Sequence, residues 1–227
     1  MILFTYDFPH KKTLDFIFYC RHYGYDIEAV IAAPKVKLPI PKRKYKAGVN
    51  LNIGVIPTVD ICKSMDIPYH VIPHNDSVEL LQDLQPEVGL IAGARILSKD
   101  VINCFRKGII NFHPGGIPEA RGLDTPRWIV YDDLPVAVTS HFIDPRVDGG
   151  WIIKRLDMEL EPNDTLKDIG LKLYLGQLAI FEETMKIAMN SSMNHNELEL
   201  VSNDAKPSYK YFPSELEEEL KYIGAHL

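Results

Sequence analysis

Asn111 and His113 stand two residues apart at the end of the run Ile109-Ile110-Asn111-Phe112-His113, and Pro114, Gly115 and Gly116 follow them. Apolar β-formers stop at an amide, and an imidazole comes next but one. Residues two apart in a strand point to the same face, so the two side chains are expected to be neighbours. An amide NH₂ and a protonated imidazole are two donors that can be aimed at one oxygen, the arrangement that suits a developing oxyanion. A second apolar run, "VTSHFIDPRVDGG", closes on His141, Asp144 and Asp148. A carboxylate beside His113 would hold its proton and accept one from water or a nucleophile. Asn and Asp also nucleate turns on their own account, and either residue taken singly reads more simply that way. The joint pattern, with the close-approach loop "GGIPEARG" between, points to chemistry.

Strand-length apolar runs alternate with helical patterns through the first 160 residues. Strands are expected at Ile2–Tyr6, Ile27–Ala33, Tyr69–Pro73, Val88–Ala94 and Gly108–His113, with a pair at Val136–Ile143 and Gly150–Leu156. Helices are expected at Leu14–Tyr23, Pro57–Met65, Ser77–Leu84, Ser98–Phe105 (capped by Ser98) and Thr125–Asp132 (Pro126 in its first turn). Continuous apolar runs suit strands buried on both faces. The expected fold is therefore α/β, a Rossmann-like three-layer sandwich with a mostly parallel central sheet, helices on both faces and a short helical C-terminal tail. In such sheets ligands bind beyond the carboxyl ends of the strands, where Asn111 and His113 lie. The division expected is a catalytic core over 1–160 and a helical extension over 161–227 packed on it. In that extension residues 161–189 read as one long helix, with Thr165 and Asp168 as a capping box and Leu171, Leu175, Leu178, Phe181, Met185 and Ala188 as its buried stripe. Ser214 and Glu217 read as the cap of a last helix, Ser214–Ile223.

The chain has 227 residues, with 25 Lys and Arg against 31 Asp and Glu, a net charge of −6. That balance argues against a nucleic-acid partner, whose phosphates call for a basic surface. No apolar run is long enough to span a membrane, and the first residues read as a strand, not as a leader. Three scattered cysteines fit a reducing, cytoplasmic setting. There is no Gly-rich dinucleotide or Walker loop, and His70 and His74 fall on a strand interrupted by Pro73, so no metal site is expected. Residues 34–46 carry six basic residues and three prolines. They read as a solvated loop in preference to a flap over an anionic ligand.

"NFHPGGIPEARG" followed by "VTSHFIDPRVDGGWIIKR" resembles the core of the folate-dependent formyltransferases, which carry Asn-x-His-Pro, then Arg-Gly, then His and a final Asp. The resemblance runs from about Gly89 to Glu161, and "AGARILS" resembles the family's folate-pocket segment. It implies transfer of a formyl group from N10-formyltetrahydrofolate to an amine, without a metal. By position Asn111, His113 and Asp148 would be catalytic. Arg95, Ile96 and Leu97 would contact the pterin, largely by backbone, and Ile143, Asp144 and Pro145 would close that pocket. Gly115, Gly116, Arg121, Gly122 and His141 would face the acceptor. Gly115 stands where the family often has Ser.

Three acceptor classes belong to the family. The methionyl-tRNA enzymes carry a further C-terminal RNA-contacting domain, whereas the tail here is short and acidic. The glycinamide ribonucleotide enzymes carry a Gly/Ser-rich phosphate loop after the first strand, where this chain reads "YDFPHKK". A nucleotide-linked amino sugar is the acceptor the resemblance favours, as in pathways of the pseudaminic-acid type, with the basic loop or Tyr209, Tyr211 and Phe212 as candidates to hold the nucleotide. The alternatives are phosphoribosylglycinamide formyltransferase, formyltetrahydrofolate hydrolase and a non-catalytic folate- or nucleotide-binding module. A monomer or homodimer is expected.

Overall fold

The computed structural model describes residues 1–47, 51–202, 204–205 and 208–220. Eight strands form one sheet in the order β3-β2-β1-β4-β5-β6-β7-β8. β1 (Ile2–Tyr6), β2 (Ala29–Ala33), β3 (Tyr69–Val71), β4 (Val88–Ile91) and β5 (Gly108–His113) run parallel. β6 (Ala137–Phe142), β7 (Trp151–Asp157) and the two-residue β8 (Glu199–Leu200) add antiparallel pairs. The order reverses between β1 and β4, one strand away from β5. This is the mostly parallel α/β sandwich the apolar runs predict.

Alternation along the strands feeds two cores. Leu3, Val30, Leu90, Ile110 and Phe112 face one side. That side is covered by α1 (Lys11–His22), α2 (Thr58–Ser64), α5 (Thr125–Tyr131), α6 (Leu166–Ala179) and α7 (Phe181–Ala188). Ile2, Phe4, Ile31 and Ile109 face the other, under α3 (Val78–Leu84) and α4 (Lys99–Asn103). Asn111 and His113 share the parity of Ile109. They project on the α3–α4 side, Asn111 level with the last residue of β4, Ile91, and His113 beyond it.

The sequence expectations need three corrections. Residues 161–189 are not one helix. Thr165 and Asp168 do form the capping box, but α6 stops at Ile180 (φ −88°, ψ 0°) and α7 begins again at Phe181. The break also rotates the buried stripe. In α6 it is Leu166, Ile169, Leu173 and Gln177 that are covered, whereas Leu175 is 53 % exposed. Phe181, Met185 and Ala188 are buried as expected. Ser214 does not cap a helix with Glu217. It opens a short 3₁₀ turn and donates to the carbonyl of Lys42, ahead of α8 (Glu217–Leu220). Residues 221–223 of that expected helix lie outside the described residues.

The third correction concerns the basic loop. Residues 35–40 are exposed, but the loop is then pinned to the C-terminal segment. Arg43 pairs with Asp124 and donates to the carbonyl of Phe212 at 2.6 Å. The Glu217 carboxylate accepts from the backbone N–H groups of Lys44 and Tyr45 and from Arg127 Nε at 2.6 Å. Burial pushes the Glu217 carboxyl upward, but the Tyr45 N–H and the Arg127 guanidinium outweigh it and hold the group below its ordinary range. Among the six basic residues Arg43 alone is drawn out of water in this way; Lys35, Lys37, Lys42, Lys44 and Lys46 stay exposed, as the solvated reading expects.

The break at Ile180 sorts side chains that look alike in sequence. Phe181 packs on Phe16, Tyr19 and Phe112 with ring centroids 5.1, 5.3 and 5.5 Å away. Phe181→Ala should destabilise by about 3–5 kcal/mol in urea denaturation. Leu175→Ala should change stability by no more than about 0.5 kcal/mol. Equal losses would restore the single long helix.

Candidate active site

β5 delivers Asn111 and His113 and β6 runs antiparallel beside it, so Asn111 lies directly opposite His141. The turn between β6 and β7 brings in Asp148, which adopts a left-handed backbone (φ +44°) that Asp tolerates better than most residues. The carboxylate is only 14 % exposed. Around its Oδ1 lie Asn111 Nδ2 at 3.4 Å, His113 Nδ1 at 3.5 Å and His141 Nε2 at 3.9 Å. Its Oδ2 accepts the backbone N–H of Gly122 at 2.8 Å. The amide, the imidazole and the carboxylate expected from sequence do converge, with Asp148 Oδ1 as their meeting point.

The surrounding bonds fix which atom of each group faces inward. His113 Nε2 lies 2.7 Å from the carbonyl of Ala120, so it carries a hydrogen, and Nδ1 is the nitrogen turned to Asp148. His141 Nδ1 lies 2.9 Å from the carbonyl of Gly149, so it too is a donor. Its Nε2 is then an acceptor, and it meets Asn111 Nδ2 at 3.1 Å. That contact assigns the NH₂ end of the amide, with one hydrogen held by His141 and the second aimed at Asp148. Burial pushes the His141 ring down to about 4, against the pull of Asp148, so the ring is neutral at neutral pH and keeps the lone pair that orients Asn111.

The acceptor-side candidates fall into different places. His141 is fully buried, and Arg121 is 7 % exposed and spends its Nε and Nη2 hydrogens on the carbonyl of Val147. Both residues brace the site from behind. Gly115 and Gly116 are also buried. A Cβ on Gly115 would lie 2.6 Å from the Ala120 carbonyl oxygen and 2.7 Å from His113 Nε2. A side chain at 115 would therefore crowd the contact between His113 and Ala120. Gly122 supplies its N–H to Asp148.

Of the loops expected to hold the pterin, 95–97 follows the carboxyl end of β4, and 143–145 follows antiparallel β6 and lies beside Ile109 on β5. Leu97 and Ile143 join the apolar cluster around Ile109, and the N–H of Ile143 donates to the Ile109 carbonyl at 2.9 Å. Arg95 is exposed, Ile96 is 67 % exposed and Pro145 is exposed. Asp144 is engaged by the backbone N–H and guanidinium of Arg146.

Three supports carry no sequence signal of their own. Asn75 latches the 95–97 loop, donating to the Ile96 carbonyl and accepting from Ser98 N–H at 2.8 Å. Thr139 ties down the turn after His113, donating to Gly115 O and accepting from Ile117 N–H. Lys12, in the first turn of α1, donates to the Phe112 carbonyl at 2.9 Å and to Gln177 at 2.8 Å. Burial pushes its ammonium down to about 7, against the pull of Asp148. Lys12 thereby satisfies a carbonyl that β4, ending at Ile91, leaves without a strand neighbour. His74 donates to the Thr5 carbonyl at 2.8 Å and takes no part in the site. Among the described residues no three His, Cys, Asp or Glu are grouped to hold a metal, and no helix is long and apolar enough to cross a membrane.

Neutral burial of His141 has a pH signature. Below about 6.5 the unfolded chain takes up a proton that the folded ring refuses until about pH 4. Stability should fall as pH drops through that window, by roughly 3 kcal/mol from this ring alone. Urea denaturation at pH 7 and pH 4.5 should show a smaller loss in His141→Gln than in the unaltered protein. Equal losses would mean that the ring is charged in the folded state.

The sequence profile for formyl transferases matches residues 36–183. A methionyl-tRNA formyltransferase of Borreliella burgdorferi is 27 % identical over 135 residues, which is 59 % of this chain and 43 % of that protein, so the chain spans less than half the length of this relative. An N-formyltransferase of Helicobacter canadensis, solved with folinic acid and dTDP-3-aminofucose, superposes with a TM-score of 0.65 at 16 % identity, over 92 % of this chain and 70 % of that one. The phosphoribosylglycinamide formyltransferase of Bacillus halodurans superposes with a TM-score of 0.63 at 18 % identity, over 84 % and 96 %. With the profile spanning both strand ends of the site, the chain belongs to the formyl transferase family.

Proposed function

We propose that the chain is an N-formyltransferase that moves the formyl group of N10-formyltetrahydrofolate to the amine of a nucleotide-linked amino sugar. The observation that carries the reading is the placement of Asn111 Nδ2 and His113 Nδ1 within 3.5 Å of Asp148 Oδ1, with Asn111 Nδ2 also aimed by His141 Nε2 and His113 Nε2 by the Ala120 carbonyl. The folate, when bound, supplies the formyl carbon. The residues present fit it: Ile96 is an exposed apolar side chain on a loop held by buried Leu97 and by Asn75, and Ile143 packs in the same apolar cluster as Leu97.

The roles follow from the assigned hydrogens. As the amine attacks, charge develops on the formyl oxygen, and the second Asn111 hydrogen is the donor that can turn to it. His113 can present a proton on Nδ1 because Nε2–H is anchored on Ala120. Asp148 balances the charge of the protonated ring and accepts the amine's proton; as the bond from the formyl carbon to N10 breaks, that proton passes to N10, so that tetrahydrofolate leaves and the amine keeps the formyl group. The contacts at 3.4–3.5 Å are loose in the resting site, as catalytic hydrogen bonds often are before substrate arrives.

Two observations support the acceptor class. After β1 the chain reads Asp7-Phe8-Pro9-His10, with Tyr6 and Phe8 stacked at 5.2 Å. A phosphate is held by backbone N–H groups in a glycine-rich loop, whereas here the Asp7 N–H is taken by the Ala33 carbonyl, the Phe8 N–H by the Tyr6 carbonyl, and Pro9 has none. The N–H of Lys11, next in line, is taken by Asn52 at 2.8 Å. The Helicobacter canadensis neighbour was solved with a nucleotide-linked amino sugar. Glycinamide ribonucleotide is the second reading, supported by the 96 % coverage of the Bacillus halodurans enzyme.

The test is incubation with N10-formyltetrahydrofolate and a panel of nucleotide amino sugars together with glycinamide ribonucleotide, read as a formyl mass gain. A gain on a nucleotide amino sugar is expected. A gain on glycinamide ribonucleotide alone overturns the acceptor assignment, and formate released without any amine overturns transfer itself. Asn111→Ala and Asp148→Asn should each lower kcat by about 10²–10³-fold, the range for losing one group that stabilises the transition state. Turnover untouched in both would remove the site.

A further inference from the structure

We infer that the C-terminal segment Ser208–Leu220 is a strap that holds the Asp148 carboxylate in place through Gly122, with Tyr209 as its positioning residue. The inference rests on the proposed role of Asp148 and deepens it.

The contact begins at the backbone. Gly122 and Tyr209 form an isolated parallel bridge. The Tyr209 N–H donates to the Arg121 carbonyl at 2.7 Å, and the Tyr209 carbonyl accepts from Leu123 N–H at 3.0 Å. Gly122 between them has φ +108°, and a Cβ there would lie 2.1 Å from the Tyr209 carbonyl oxygen. Only glycine admits the strap this closely. The other side of the same residue, its N–H, donates to Asp148 Oδ2 at 2.8 Å. Arg121, the next residue back, holds the Val147 carbonyl beside Asp148. A two-sided clamp thus runs from the strap through residues 121–123 to the carboxylate.

The strap is itself anchored away from the site. The Tyr209 ring stacks on Trp128 at 4.6 Å and its hydroxyl donates to Asp132 at 2.5 Å. Trp128 Nε1 donates to the Lys210 carbonyl at 2.9 Å. Phe212 is fully buried, its N–H donates to Asp124, and Glu217 closes the end through Arg127. None of these groups faces Asp148. Their effect reaches it only by fixing where the Gly122 N–H points, and a carboxylate that relays a proton depends on that direction.

The experiment is steady-state kinetics of the full chain with N10-formyltetrahydrofolate and dTDP-3-aminofucose, or whichever panel member gains the formyl group. Gly122→Ala should expel the strap and lower kcat on the order of 10²-fold, the cost of a misplacement near 1 Å. Tyr209→Ala should lower kcat roughly tenfold, the factor one aromatic stack is worth. Tyr209→Phe keeps the stack and should stay within about twofold of the unaltered protein. KM for the folate should hold in all three, because the 95–97 and 143–145 loops are untouched. Where Gly122→Ala does not fold, the Tyr209 pair carries the test. Unchanged kcat in Tyr209→Ala, or equal falls in kcat for Tyr209→Ala and Tyr209→Phe, overturns the strap. Asp148→Asn is run alongside: if it alone loses turnover, the strap fails and the site stands, and if it keeps turnover, the site itself fails.

Discussion

A carboxylate drawn largely out of water must have partners at both oxygens, and the arrangement around Asp148 follows from that demand. The side chain sits at a left-handed turn with 14 % of its surface exposed. Oδ2 is satisfied from the backbone of Gly122, which fixes the plane of the group. Oδ1 is then turned toward the end of β5, where an amide and an imidazole can face it only because they lie two residues apart on one face. An odd spacing would have put one of them into the core with Phe112.

The protonation states are linked through the same geometry. A charged His141 would have donors at both ring nitrogens and would turn the Asn111 carbonyl toward itself. Full burial keeps that ring neutral, and the Gly149 carbonyl takes its one hydrogen. His113 has its hydrogen on Nε2 for the same kind of reason, since a carbonyl oxygen can only accept. Backbone carbonyls in two loops thus fix a donor on one ring nitrogen of each histidine, Ala120 for Nε2 of His113 and Gly149 for Nδ1 of His141. Lys12 belongs to this frame: it satisfies the Phe112 carbonyl in the gap beyond the end of β4, so the backbone between the two polar side chains cannot drift.

Most of the fold was legible because period and punctuation carry it: two-face burial marks the parallel strands, and Ser98 and the Thr165–Asp168 box mark helix starts where they occur. Asn111 and His113 were legible for the same reason, as polar residues ending an apolar run, whereas the pattern left Asp144 and Asp148 both open and the resemblance to the family singled out Asp148. The facing of the loops between them was not. Arg121, His141, Gly115 and Gly116 are polar or small residues near a polar site, and nothing in their spacing says whether a ligand or the protein lies against them. The break at Ile180 has no proline or glycine to announce it. Asn75, Thr139 and Lys12 act as single side chains reaching across 21 to 165 residues, and no local pattern encodes such a reach. The pairing of the basic loop with Asp124 and Glu217 is invisible on the same ground.

The distances divide the site into two shells with different duties. Bonds that aim the groups are short: 2.7 Å from His113 to Ala120, 2.8 Å from Gly122 to Asp148, 2.9 Å from His141 to Gly149. Contacts among the groups themselves are long, 3.4 to 3.9 Å around Asp148 Oδ1. Short bonds hold direction, and long ones cost little to exchange. A developing negative oxygen that takes the second Asn111 hydrogen displaces one of the weakest bonds in the site and leaves the aiming bonds intact. Donors fixed in advance by the protein need no reorganisation when the charge appears, and that is where electrostatic stabilisation of a transition state has its largest effect.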